Sequence, residues 1–235
     1  MTDQTTEPLW HIHDSRDDLF IALTEIVAGE LSEAIAARGT ASLAVSGGNT
    51  PAPFHRMLSA CDLDWSKVVV TLTDERLVNE DSDRSNARMV RETLLRDKAA
   101  QAVFIPLWRP DMTPEAMVPQ VSGELSQHLP VDVCIAGLGE DCHTASLFPG
   151  APELAQALTP EDGAILALMT PPDGLEPRIT LTGPVLRQSR HRHLLMAGNA
   201  KRAAFARAEA ATSLPEAPVR ILMTGRTPLH IHYAP

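Results

Sequence analysis

Residues 41–60 read ASLAVSGGNTPAPFHRMLSA, and their order decides the architecture. Ala41–Val45 is a short apolar run of strand length. Ser46-Gly47-Gly48-Asn49-Thr50-Pro51 is a polar turn with two glycines. Thr50 then stands as an N-cap, and Pro51 opens a helix that runs to about Ala60. A strand passing through a tight turn into a helix is half of a crossover unit, and the same alternation extends both ways along the chain. Upstream, a helix beginning at Ser15 carries Leu19, Leu23, Ile26, Leu31 and Ile35 on one face and stops at Gly39. Downstream, strands are expected at Val68–Leu72, Val103–Leu107, Val131–Ala136, Ala164–Met169, Leu194–Ala197 and Leu229–Tyr233. Helices are expected at Ser85–Leu95, Pro114–His128 and Asn199–Ala211, with Asn199 as N-cap, and Pro218–Met223 is a helical turn stopped at Gly225. Such alternation implies an α/β fold: a doubly wound, mostly parallel sheet with helices on both faces. The proline-bearing stretches Pro110–Pro119 and Ala151–Pro160 read as loops too short for linkers, so residues 1–235 are expected to form a single domain.

Composition narrows the function classes. A chain of 235 residues, 44% hydrophobic and 21% charged, can bury a substantial core. No apolar run approaches the ~20 residues a membrane span needs. The opening MTDQTTEPLW is acidic and polar, unlike a secretory signal or transit peptide. Cys61, Cys134 and Cys142 form an odd count without paired spacing, so a reducing cytoplasm suits the chain better than a disulfide framework does. The net charge of −10, without any Lys/Arg run, argues against a nucleic-acid partner. Any anionic ligand must then be met by a few placed cations and backbone amides.

In an open α/β sheet, ligands sit beyond the carboxyl ends of the strands, and several strand ends here are polar. The turn holding Ser46, Gly47, Gly48 and Thr50 lets the backbone approach an anion, and the helix start beyond it offers unpaired N–H groups. An ordinary strand-to-helix turn would read the same way. Thr73-Asp74-Glu75-Arg76 follows Val68–Leu72 and gains weight only from emerging at the same sheet edge. Gly137-Leu-Gly-Glu-Asp-Cys-His-Thr-Ala-Ser-Leu-Phe-Pro149 is the most distinctive stretch. It sets His143 in a glycine-containing loop after a buried strand, and histidine, titrating near pH ~6.5 when unperturbed, is a competent base at neutral pH. Lys201 and Arg202 fall in the first turn of a helix, where cations are unfavourable by ~0.3–1 kcal/mol unless an anion binds there. Arg178 is a further candidate cation.

Together these segments resemble the 6-phosphogluconolactonase family, relatives of the glucosamine-6-phosphate deaminases. SGGNTP, TDER, SNARMVRETLL, GLGEDCHTASLFP, PRITLT and GNAK occur in the family order over most of the chain, and GLGEDCHTASLFP is highly specific. The resemblance implies a Rossmann-like fold and hydrolysis of 6-phosphoglucono-δ-lactone to 6-phosphogluconate, a step of the pentose phosphate pathway, without cofactor or metal. It implies that His143 is the base, with Asp141 the acidic residue two before it, and that Asp74 and Arg76 line the lactone site. It also implies that Ser46, Gly47, Gly48, Arg178 and Lys201 hold the sugar phosphate. The chain departs from the family at Cys142, where glycine is usual, and at Asn79, where proline is common. A Cβ at position 142 adds strain if the loop needs positive φ there.

Rival chemistries can be stated from the same residues. Cys142 as a covalent nucleophile suffers from adjacency, since neighbouring side chains point apart. The H-x-H pairs His11/His13, His191/His193 and His230/His232 lie far apart in sequence and read as surface or edge-strand histidines. A deaminase would continue differently after the histidine, where this chain has Ser146-Leu147-Phe148-Pro149. A non-catalytic sugar-phosphate sensor would have no use for His143 and Asp74.

Overall fold

The computed structural model describes residues 7–109 and 111–235. The first six residues of MTDQTTEPLW, and Pro110, lie outside the described residues. The main sheet has seven strands, all parallel, ordered β1-β10-β9-β6-β2-β3-β5. These are β1 (Leu9–Ile12), β2 (Ala41–Val45), β3 (Val68–Leu72), β5 (Val103–Ile105), β6 (Val133–Gly137), β9 (His191–Ala197) and β10 (Leu229–Ala234). Every residue of β2 and β3 is buried. Side chains alternate between faces, so both faces of the central strands are covered, which is why these strands read as unbroken apolar runs.

Helix α1 (Arg16–Arg38) begins and ends where its residues dictate. The Ser15 side chain accepts a hydrogen bond from the Asp18 N–H, and Gly39, at φ 80°, donates its N–H to Ile35 O. Its buried stripe is Leu19, Leu23, Val27, Leu31 and Ala34, so the core-facing line passes through Val27 rather than the expected Ile26. The remaining helices are α2 (Ala52–Ser59), α3 (Asn86–Thr93), α4 (Pro114–Ser126), α5 (Leu154–Leu158), α6 (Gly183–Gln188) and α7 (Asn199–Ala210).

Four sequence expectations need correction. Asp74–Arg76, read only as a polar segment following the Val68–Leu72 strand, is itself a strand, β4, because it pairs antiparallel with β8 (Arg178–Leu181). With β7 (Leu166–Met169), these form a separate three-stranded sheet that the apolar pattern did not announce. The loop and helix readings that overlap at 114–119 resolve in favour of the helix: α4 starts at Pro114, as expected, where a missing N–H costs nothing, and continues through Pro119. Ala151–Pro160 likewise contains α5, whose Leu154, Ala157 and Leu158 are buried.

The topology fixes where a ligand can enter. From β2 the chain moves to β3 and β5 on one side, whereas β6, its other neighbour, leads to β9, β10 and β1. The connections leaving the carboxyl ends of β2 and β6 therefore diverge and leave a crevice between them.

Candidate active site

A cavity of about 420 Å³ occupies that crevice. It is lined by the turn after β2 (Ser46, Gly47, Gly48, Thr50), by Asp74 and Arg76 of β4, by His143 after β6, and by Lys201 after β9. Asp141 and Arg178 do not line it.

His143 is oriented by its own loop. The Gly139 N–H donates to His143 O at 2.8 Å, and the Cys142 N–H donates to Gly139 O at 3.1 Å, closing a tight turn. Cys142 and Ala145 take φ of 72° and 50°, the left-handed region that costs a non-glycine residue roughly 1–2 kcal/mol. The strain expected at position 142 is therefore present. In return, Asp141 Oδ1 sits 2.5 Å from His143 Nδ1 and also accepts the His143 backbone N–H at 3.2 Å. An ionised carboxylate only accepts, so Nδ1 carries the hydrogen, and the lone pair of the neutral ring resides on Nε2. Burial opposes ionisation of Asp141, but its bonds to His143 outweigh that and hold the carboxyl below its ordinary value. Gly139 makes the arrangement possible: a Cβ there would lie 2.1 Å from His143 Nδ1 and 2.5 Å from Asp141 Oδ1.

Cys142 points the other way. Its buried thiol donates to Ala204 O at 3.3 Å, against α7, and burial raises its pKa despite nearby Arg207. A thiol held protonated outside the cavity is a poor nucleophile.

The acidic strand is tied to the histidine loop by residues that lie inside the quoted motifs but were given no role there. Ser146 Oγ donates to Asp74 Oδ2 at 2.6 Å, and Thr73 Oγ1 reaches Asp74 Oδ1 at 3.2 Å. Asn86 Nδ2 donates to Asp74 O at 2.9 Å. The Asn86 amide lies across Gly47, where an added Cβ would stand 1.9 Å from Asn86 Oδ1. A serine three residues beyond the histidine, and an asparagine opening the helix after Thr73-Asp-Glu-Arg76, were the signals available. Glu75, between Asp74 and Arg76, faces inward and accepts the Asn86 and Ala87 N–H groups at the start of α3. Its role is structural, and burial raises its pKa against those bonds.

At the other end, Gly48 takes φ 88°, which the turn requires. Thr50 is not the N-cap of α2: Pro51 occupies that position without a side-chain cap, and Thr50 lines the cavity instead. Gly198, at φ 92°, rather than Asn199 precedes α7, and Asn199 Oδ1 accepts from the Tyr233 hydroxyl at 2.8 Å. The two cations after it separate. Lys201 lines the cavity without an ion-pair partner among the described residues, whereas Arg202 stacks over Trp10 and Tyr233. Arg178 pairs in register with Arg76 and is 5% exposed. It donates to Glu176 at 2.9 Å, but its buried Nε has no partner. Burial and then Arg76 lower its pKa, and the carboxylates of Glu176 and Asp74 compensate only in part. Among the described residues, no helix is long and apolar enough to cross a membrane.

This combination of anion-suited turn, unpaired lysine and carboxylate-oriented imidazole suits acid–base chemistry on a small anionic molecule. Comparison with known proteins is consistent with it. The profile of the family described as glucosamine-6-phosphate isomerases/6-phosphogluconolactonase matches residues 14–231. A 6-phosphogluconolactonase of Rhizobium meliloti is 45% identical over 227 residues, 96% of this chain and 98% of that protein. One from Mesorhizobium japonicum is 40% identical over 96% of this chain and 95% of its own length. A crystal structure of a 6-phosphogluconolactonase from Shewanella baltica superposes with a TM-score of 0.93 at 36% identity, covering 98% and 99% of the two chains.

Proposed function

The chain belongs to the glucosamine-6-phosphate isomerase/6-phosphogluconolactonase family, and on that footing we propose that it hydrolyses 6-phosphoglucono-δ-lactone to 6-phosphogluconate in a metal-free reaction. The three unbridged cysteines suit a reducing cytoplasm, where the pentose phosphate pathway would use this step. One contiguous core supports reading residues 1–235 as a single domain.

A lactone is an intramolecular ester, already electrophilic, so the enzyme has three tasks: hold it, activate water and stabilise the oxyanion. The phosphoryl group is held by the Ser46–Thr50 turn and Lys201, with Arg178 and Arg76 adding positive potential along that edge. Binding at this remote end positions the ring without taking part in the chemistry. His143 Nε2 takes a proton from water as the water oxygen bonds to the carbonyl carbon. When the tetrahedral intermediate collapses, the bond from that carbon to the ring oxygen breaks, and Nε2–H returns its proton to the leaving oxygen. Asp141 stabilises the imidazolium formed between the two steps. Asp74, anchored by Ser146, accepts a substrate hydroxyl, and Arg76 stabilises developing negative charge.

The observation that carries this reading is the Asp141–His143 pair, which leaves Nε2 basic inside the same cavity as the glycine turn and Lys201. The test is acid release from fresh lactone, corrected for spontaneous hydrolysis. His143→Ala is expected to lose nearly all turnover with little change in KM, and wild-type-like kcat in that variant removes His143 from the mechanism. Ammonia release from glucosamine 6-phosphate would mark the other branch of the family, and stoichiometric binding without acid release would mark a sensor.

A further inference from the structure

The three H-x-H pairs, expected to be unrelated edge-strand histidines, are gathered by the fold onto one face. In a strand, residues i and i+2 share a face, and β1, β10 and β9 are neighbours. His11 is the register partner of His232, and His230 of His193; His13 follows β1 directly, and His191 begins β9. Glu30 of α1 reaches this face, with Oε1 3.1 Å from His191 Nδ1 and Oε2 2.8 Å from His193 Nε2. None of these seven residues lines the cavity described above.

The hydrogen-bond chain fixes the tautomers. Glu30 accepts, so His193 carries a hydrogen on Nε2 and, in its neutral form, offers a lone pair at Nδ1. His232 Nε2, 3.0 Å away, must then be the donor to that lone pair. His232 Nδ1 is left as a bare lone pair, fully buried and without a partner. Alongside, His11 Nε2 and His230 Nδ1 face each other at 3.1 Å and share one hydrogen between two ring nitrogens. His13 Nε2 is a second buried ring nitrogen with no partner. Ring nitrogens left without partners are costly in a protein interior, and a bare lone pair among them is satisfied when something electron-poor binds it.

We propose that His11, His230 and His232 form a binding site for a divalent transition-metal ion of the Zn²⁺ type. One ring nitrogen from each lies within 4.8 Å of the others. Two imidazole nitrogens bound to one tetrahedral ion at ~2.0–2.1 Å stand roughly 3.3 Å apart, close to the separation already held by His11 and His230. The ion would replace their shared hydrogen, and the third ligand closes by a side-chain adjustment. Neutral imidazoles suit Zn²⁺, Co²⁺, Ni²⁺ and Cu²⁺ and exclude Ca²⁺ and Mg²⁺, which demand oxygen ligands. Glu30 behind His193 supplies the outer carboxylate that commonly orients a histidine cluster.

The test uses the full-length untagged chain, stripped with chelator and titrated with Co²⁺ and then Zn²⁺. The wild type is expected to take up one equivalent of Co²⁺ with visible ligand-field bands that Zn²⁺ abolishes. The His11→Gln/His230→Gln double variant is expected to bind at least tenfold more weakly, while His143→Ala binds as the wild type does. Failure of the wild type to bind stoichiometrically, or equal binding by the double variant, overturns the site. Binding lost in His143→Ala assigns the ion to the other cavity and also overturns it. ¹⁵N imidazole spectra of the wild type with Zn²⁺ keep the question decidable if the double variant misfolds: shifts must centre on His11, His230 and His232, and unchanged spectra refute the proposal.

Discussion

Gly139→Ala isolates the orientation of the His143 imidazole, the base of the proposed mechanism, from everything else in the site. Gly139 does not occupy the left-handed region, so alanine adds no backbone strain. The new methyl carbon would stand 2.1 Å from His143 Nδ1, whereas atoms in contact settle at ~3.5 Å or more. The ring must therefore retreat by roughly 1.4 Å, which breaks its 2.5 Å bond to Asp141. A hydrogen bond to a charged group contributes ~1.5–3 kcal/mol, or about 10–150-fold in rate at 1.36 kcal/mol per tenfold. Misplacing a reacting group by ~1 Å can alone cost ~10²-fold, and the two losses overlap rather than add. The expected result is a fall of ~10²–10³-fold in kcat/KM, almost all of it in kcat, because the turn proposed to hold the phosphate is untouched. Initial rates of acid release from fresh lactone measure it, with a thermal melt to show that the fold is intact. A folded Gly139→Ala protein retaining a third or more of wild-type kcat/KM would refute the claim that the Asp141–His143 pair sets the rate.

Lys201→Met keeps the length of the side chain and removes its charge; kcat/KM for the phosphorylated lactone should fall ~10–100-fold, mainly through KM. Hydrolysis of unphosphorylated gluconolactone should not change, and equal losses on both substrates would contradict a phosphate role. Thiol alkylation of the native protein should leave turnover intact, since Cys142 is buried against Ala204; inactivation would revive a covalent mechanism. For Glu30, burial pulls the pKa up, but the bonds from His191 and His193 outweigh it and hold the carboxyl down to about 2. Its folded-state pKa is depressed, so its stabilisation is present above the unfolded value of ~4.3 and is lost as pH falls through about 2. The Tm advantage of wild type over Glu30→Gln should therefore shrink across that interval, and a constant difference would show that Glu30 does not titrate as described.

The parts of the fold visible in the sequence are those whose signal is local. β2 and β3 announce themselves as apolar runs because both their faces are buried, and α1 because Ser15 and Gly39 bound it. β4 and β8 do not, because Asp74–Arg76 is strand only by virtue of its partner, and Arg178–Leu181 is short and opens on an arginine. The site shows the same division. Residues whose chemistry is conspicuous, such as His143 and Lys201, could be named from type and position. Asn86 and Ser146 could not, since an amide and a hydroxyl acquire their roles only when distant strands bring acceptors to them. The three H-x-H pairs show how far that limit reaches: His11 and His230 are 219 positions apart, and nothing in the sequence indicates that their rings meet.

Glycine carries two different meanings here, and separating them explains how the site is held before a substrate arrives. Gly48 is needed for its φ of 88°, a demand of the turn itself. Gly47 and Gly139 are needed because another residue's side chain lies where their own would be: the Asn86 amide over one, the Asp141–His143 pair over the other. Asn86 is in turn fastened to the Asp74 carbonyl, and the Asp74 carboxylate to Ser146 in the histidine loop. The turn after β2, strand β4 and the loop after β6 are thus joined by side chains crossing bare backbone and cannot drift independently. On the proposed function, a substrate gripped at its phosphoryl end by the first of these segments meets the third at a distance set by the protein, and that fixed distance would convert remote binding into rate.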